Sequence, residues 1–171
     1  MAQALLVIDL QNDYFPGGRF PLWNAEVVLA NVEQAVERAR SRGVAVILVQ
    51  HVADGSAGVA PFFNAGTVGA EIHPRILAAA PEAPVIVKHF ADSFEQTTLA
   101  ETLRALRVDE LLICGMMTQN CVTHTAISKA AVSYQVSVLV DCCTTVTELL
   151  HQIALHALST RLKLVSAKDA V

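Results

Sequence analysis

The sequence predicts an α/β protein, a three-layer α/β/α arrangement around a mostly parallel six-stranded sheet. Three observations carry that expectation. Apolar runs rich in Val, Ile and Leu recur along the chain, and runs without polar alternation suit strands covered on both faces. Stretches with apolar residues at helical spacing lie between them, giving the order β-α-β, loop, β-α-β-α-β-α-β that implies parallel strands with crossover helices. The length of 171 residues, with 53% apolar and 16% charged, fits one compact domain over 1–171 and argues against disorder.

Taken in order, ALLVIDL is the first strand. The first helix is marked by Val28, Leu29, Val32, Ala35, Val36 and Ala39, with Asn24 placed to cap its start and Gly43 to end it. VAVILVQHV at 44–52 is the second strand. Residues 53–83 are rich in Gly, Ala and Pro and have no clear period; a connection of that length suggests a lid or a subunit contact. PVIVKHF at 84–90 is the third strand, and Leu99, Leu103 and Leu106 mark the next helix. ELLICG at 110–115 is followed by a helix expected to run from Gly115 to about Tyr134. VSVLVD at 136–141, a helix carrying Leu149, Leu150, Ile153, Ala154, Ala157 and Leu158, and a short strand at 162–165 complete the chain.

Several function classes are set aside by composition. The formal charge of -4 comes without a Lys/Arg cluster, so a nucleic-acid partner has no platform for phosphate neutralisation. No apolar run reaches the roughly 18 to 20 residues needed to span a bilayer, and the amino terminus meets Asp9 within its first apolar run, so neither export nor membrane insertion is expected and the location is read as cytoplasmic. Four cysteines in a long apolar chain are read as reduced thiols. Neither Cys142 with Cys143 nor Cys114 with Cys121 has the CxxC spacing of a zinc ribbon.

In open parallel sheets ligands bind outside the carboxyl ends of strands, so polar residues just after strands carry the most information. Asp9, Lys88 and Cys121 occupy such positions. Each has an ordinary reading: Asp9 as a turn residue or structural ion-pair partner, Lys88 as an edge-strand lysine, Cys121 as a small core residue. Their coincidence favours chemistry. With Thr118 as N-cap, Cys121 falls at N3 in the first turn of a helix, where the dipole and free N–H groups are expected to lower a thiol's pKa and to serve an oxyanion.

The strings VIDLQNDYF, VIVKHFADSF and GMMTQNCVTHTA resemble the three successive motifs of the isochorismatase-like cysteine hydrolases, over essentially the whole chain and in order. That resemblance implies a catalytic set of Asp9, Lys88 and Cys121, a cis peptide between Met116 and Met117, and an oxyanion hole from the main-chain N–H groups of Met117 and Cys121. It also puts Gln11 and Phe15 beside the substrate, where a turn residue and a core aromatic are equally fair readings. The implied reaction is covalent hydrolysis of a small amide or carbamoyl-type metabolite through a thioester, with no cofactor and with a small molecule as partner, in a homo-oligomer. Nicotinamidases of the family also hold a divalent metal on an Asp-x-His pair and a further His. His51, Asp54 and His73 are available here but lack that spacing, so no metal is assigned. The alternatives are isochorismatase-type hydrolysis of another metabolite and a catalytically silent binding module. A nucleotide-binding domain is disfavoured by the lack of a GxGxxG or GxxxxGK loop after a strand.

Overall fold

The structure, a computed structural model, describes residues 2–171. Six parallel strands form one sheet: β1 (Ala2–Ile8), β2 (Ala45–His51), β3 (Val85–Lys88), β4 (Val108–Met116), β5 (Gln135–Thr144) and β6 (Lys163–Val165), in the spatial order β3-β2-β1-β4-β5-β6. The order reverses between β1 and β4, so the crevice at their carboxyl ends is the place where such sheets bind ligands. Leu5, Leu6, Ile8, Leu111, Ile113 and Leu139 are fully buried in the middle of the sheet, as their unbroken apolar runs require.

The helices are α1 (Ala25–Ser41), α2 (Pro74–Ala79), α3 (Leu99–Ala105), α4 (Thr123–Ala126), α5 (Glu148–Ser159) and α6 (Ala167–Ala170). The α1 stripe of Val28, Leu29, Val32, Ala35, Val36 and Ala39 is wholly buried. It packs against β5 and β2 and also touches α2 and α6, while α5 packs against the turn that follows β4. Neither α2 nor α6, short helices of six and four residues, is marked by apolar periodicity. No described helix is long and apolar enough to cross a membrane.

Three local expectations are corrected. Asn24 stands at the start of α1, but its φ of 56° is left-handed and its side chain makes no capping bond, because side-chain capping needs an extended backbone. PVIVK forms an edge strand rather than one covered on both faces, leaving Val85 and Val87 about 42% and 46% exposed. The helix expected from Gly115 to Tyr134 is broken in three: a π-helical turn at Thr118–Val122, the single turn of α4, and a 3-10 segment at Lys129–Ser133. The run is crowded with β-branched residues that resist a continuous α-helix, and Ser128 restarts the chain by accepting a bond from the Ala130 amide.

The segment 53–83 folds over the carboxyl edge in short pieces. It contains 3-10 turns at Gly55–Ala57 and Val68–Ala70, an antiparallel bridge between Gln11 and Ile72, and α2. Asp13, nearly fully buried, fastens it: its carboxylate accepts bonds from the amides of Phe63 (2.8 Å) and Arg19 (3.1 Å).

Gly115 controls how closely β1 and β4 approach at the switch point. Its φ is +127°, and a Cβ there would lie 2.0 Å from the Ile8 carbonyl oxygen, far inside any tolerable contact. The register with β5 also shifts between Ile113 and Gly115. Gly115→Ala should therefore lose roughly 3 kcal/mol of stability, through backbone strain and the forced separation of the two strands. Urea unfolding would check this, and a wild-type midpoint would refute the close-approach argument.

Candidate active site

Asp9 is the first residue beyond β1. Its backbone turns sharply, with φ 56°, an amide donating to the Val49 carbonyl (3.0 Å) and a carbonyl accepting from Gln11 (2.9 Å). This left-handed kink, tolerated by Asp better than by most residues, places its carboxylate in the crevice rather than along the sheet. Lys88 ends β3, and Cys121 is the fourth residue of the π-helical turn after β4. The Met116–Met117 peptide is cis. The Met117 carbonyl collects the amides of Asn120 and Val122, and Thr118 and Thr123 bind the turn further through the Thr123 hydroxyl, which donates to the Thr118 carbonyl (2.6 Å).

These elements bring the three residues into contact. Lys88 Nζ lies 2.9 Å from Asp9 Oδ2 and 3.2 Å from Cys121 Sγ, and both charged side chains are fully buried. Cys121 is 3% exposed. The same ammonium donates to the Phe90 carbonyl (3.0 Å) and meets His51 Nδ1 at 2.9 Å. Asp9 Oδ1 accepts from no N–H or O–H among the described residues, and a carboxylate oxygen of Asp9, a ring nitrogen of His51 and Cys121 Sγ all lie within 4.8 Å of one another. Open depressions of about 470 Å³ beside Gly18 and about 430 Å³ between Arg40 and Leu106 contain none of the three. A buried ion pair, not volume, marks this site.

The electrostatics correct the expectation of a depressed thiol pKa. Burial pushes the Cys121 thiol up, Asp9 adds to that, and Lys88 opposes both without prevailing. This favours the neutral thiol at Cys121, because loss of water costs a buried thiolate more than one ammonium beside it returns. Burial works against the Lys88 ammonium as well, but Asp9 and then Cys121 outweigh it and hold the lysine above its ordinary value. Burial, followed by the Lys88 charge, pulls His51 down to about 4. Tyr14, buried and facing Asp9, is raised. Cys114, Cys142 and Cys143 are also buried and raised, chiefly by burial.

The remaining candidates fall outside the contact set. Gln11 is fully buried: its side-chain amide donates to the carbonyls of His51 and Ala70 (both 2.7 Å) and accepts from the His51 amide (2.8 Å), tying the end of β1 to that of β2. Phe15 is buried against the His73 ring, with centroids 4.6 Å apart. The residues considered for a metal do not fit one. The exposed Asp54 carboxylate accepts from the Ser56 amide and hydroxyl, and His73 Nδ1 accepts from the Arg75 amide at the start of α2. Among the described residues the clustered donors are instead Asp9, His51 and Cys121, and the Lys88 ammonium already lies against all three.

Two contacts at the site were not marked by sequence spacing. His51 pairs with Lys88 in the β2–β3 register, a relation visible only if the ends of VILVQH and PVIVK are aligned as neighbouring strands. His151 of α5 meets the Thr118 hydroxyl at 2.9 Å, bracing the start of the Cys121 turn from the far end of the chain.

The family model described as the isochorismatase domain matches residues 3–169. An uncharacterized isochorismatase family protein of Bacillus subtilis is 41% identical, over 86% of this chain and 80% of that protein. The nicotinamidase of Escherichia coli is 28% identical, over 82% of each chain. Among solved structures, the pyrazinamidase of Pyrococcus horikoshii in complex with zinc superposes with a TM-score of 0.86 at 25% identity, covering 97% of this chain and 99% of that one.

Proposed function

The chain belongs to the isochorismatase family, and from that premise we propose that it is a cysteine-dependent hydrolase of a small amide or carbamoyl-type metabolite. The observation that carries this reading is the buried Lys88 ammonium held between the Asp9 carboxylate and the Cys121 sulfur. Similarity to a nicotinamidase and a pyrazinamidase supports an amide over other hydrolysable bonds.

In this reading Asp9 takes the proton of the Cys121 thiol as sulfur attacks the carbonyl carbon. The task suits a carboxylate that is paired with Lys88 and hydrogen-bonded to the Cys121 thiol. The carbonyl electron pair moves to oxygen, where the N–H groups of Met117 and Cys121 receive it; the Met117 amide donates to no other acceptor among the described residues. Collapse expels the amine with the proton held by Asp9 and leaves the thioester. Water, deprotonated by the same carboxylate, then attacks the thioester, releasing the acid and restoring the thiol. Lys88 keeps its proton throughout, and no cofactor takes part.

Ammonia release across a panel of small primary amides tests the assignment. Turnover of at least one amide is expected. Brief iodoacetamide treatment should abolish it, with Cys121 the first cysteine modified on peptide mapping because Asp9 can take its proton while Lys88 steadies the developing thiolate. Full activity after modification of Cys121 would sink it.

A further inference from the structure

We propose that His51 is a positioning residue of this site, a neutral imidazole whose Nδ1 accepts a hydrogen bond from Lys88 and so holds the ammonium against Asp9 and Cys121. The inference deepens the cysteine-hydrolase reading and rests on it for its kinetic consequences, but not for its structural ones.

The argument starts from donors and acceptors. A lysine ammonium has three N–H bonds and nothing that can accept. Four groups surround Nζ: Asp9 Oδ2 at 2.9 Å, His51 Nδ1 at 2.9 Å, Phe90 O at 3.0 Å and Cys121 Sγ at 3.2 Å. An ammonium cannot accept, so His51 Nδ1 is the acceptor in its contact, one N–H being shared among the four neighbours, and this places the imidazole's one proton on Nε2. A protonated ring would have a hydrogen on both nitrogens, would lose this bond and would set two cations face to face.

Each neighbour of His51 supports that assignment. Gln11 clamps its backbone from both sides, accepting from its amide and donating to its carbonyl, so the ring is presented from a fixed point at the end of β2. Phe63 packs beside the ring, with centroids 6.0 Å apart. The titratable groups facing it are Lys88 and His89 of the third strand and its exit, Asp9 beyond β1, and Cys121 of the π-helical turn. Burial and the Lys88 charge favour the neutral ring; Asp9 opposes them and is outweighed. Without His51 the ammonium keeps its carboxylate but loses the donor bond directed along β2, and is free to swing towards Phe90 and away from sulfur.

The consequences are measurable with and without turnover. Heteronuclear NMR of histidine-labelled protein, without substrate, should show the His51 Nε2–H tautomer persisting down to about pH 4. An Nδ1–H tautomer, or titration near the ordinary histidine value of about 6.5, would overturn the proposal whatever the enzyme does. In kinetics, His51→Leu, which keeps bulk but removes the acceptor, should lower kcat about 10- to 100-fold with KM changed less than about twofold, as when an outer ligand of a catalytic cation is removed. His51→Asn, whose Oδ1 can stand where Nδ1 stood, should recover at least about tenfold of that loss. Wild-type kcat in His51→Leu, or equal losses in the Leu and Asn variants, would reduce His51 to a packing residue. An active Cys121→Ser variant, by contrast, would overturn the hydrolase reading and leave the NMR result to decide the tautomer alone.

Discussion

Replacing Cys121 by serine is expected to lower kcat/KM by at least about 10⁴-fold while leaving the unfolding midpoint within experimental error of the wild type. The two side chains differ by one atom, and the position is almost fully buried within the turn, so the surroundings scarcely change. What changes is the ease of ionisation. Burial already pushes the thiol up, and in the proposed reaction Asp9 takes its proton during attack. An alcohol, several pKa units less acidic to begin with, lies beyond what that carboxylate can drive. Steady-state ammonia release, paired with denaturant unfolding, checks both halves. A serine variant with wild-type turnover would remove Cys121 from the chemistry, and one that fails to fold would call for Cys121→Ala as the second test.

The largest effect on stability is expected at the buried ion pair. Lys88→Met leaves the Asp9 carboxylate inside the protein with no cation, and breaking a buried pair from one side costs about 3–5 kcal/mol. Replacing both charges should be much milder: Asp9→Asn/Lys88→Met should unfold within about 1–2 kcal/mol of the wild type, because neither neutral side chain needs a counter-charge. Asparagine is the right replacement at position 9, where φ is 56°, since it tolerates the left-handed region that leucine does not. All three variants, including Asp9→Asn alone, should lose turnover. Urea unfolding of the full cycle measures the coupling. Additive losses in the double variant would mean that the two charges do not support each other.

Much of this was legible in the sequence because the physics behind it is local. Unbroken runs such as ALLVI and ELLIC placed the central strands, and the 3.6-residue stripe from Val28 to Ala39 placed α1. Asp9, Lys88 and Cys121 were visible because each lies at or shortly beyond the carboxyl end of a strand. What escaped depends on neighbours distant in sequence. Valine at every other position of PVIVK looks the same in an edge strand as in a central one, and only strand order decides which face meets solvent. The protonation of Cys121 followed the same pattern. A helix start argues for thiolate, but the chain that covers it comes from other elements, and its burial reverses the sign. His51 acquires its contact only through cross-strand register with Lys88.

The buried grouping of one ammonium, one carboxylate and one thiol carries no net charge, and in the proposed reaction it never acquires one. The proton leaving Cys121 goes to Asp9 as the negative charge moves first to sulfur and then to the substrate oxygen, so charge is redistributed inside the crevice while the total stays at zero. Counter-ions need not follow the reaction across the protein boundary, and mobile salt, which screens charges exposed to solvent, has little purchase on it. The chemical step is thereby insulated from the ionic composition of the surrounding solution.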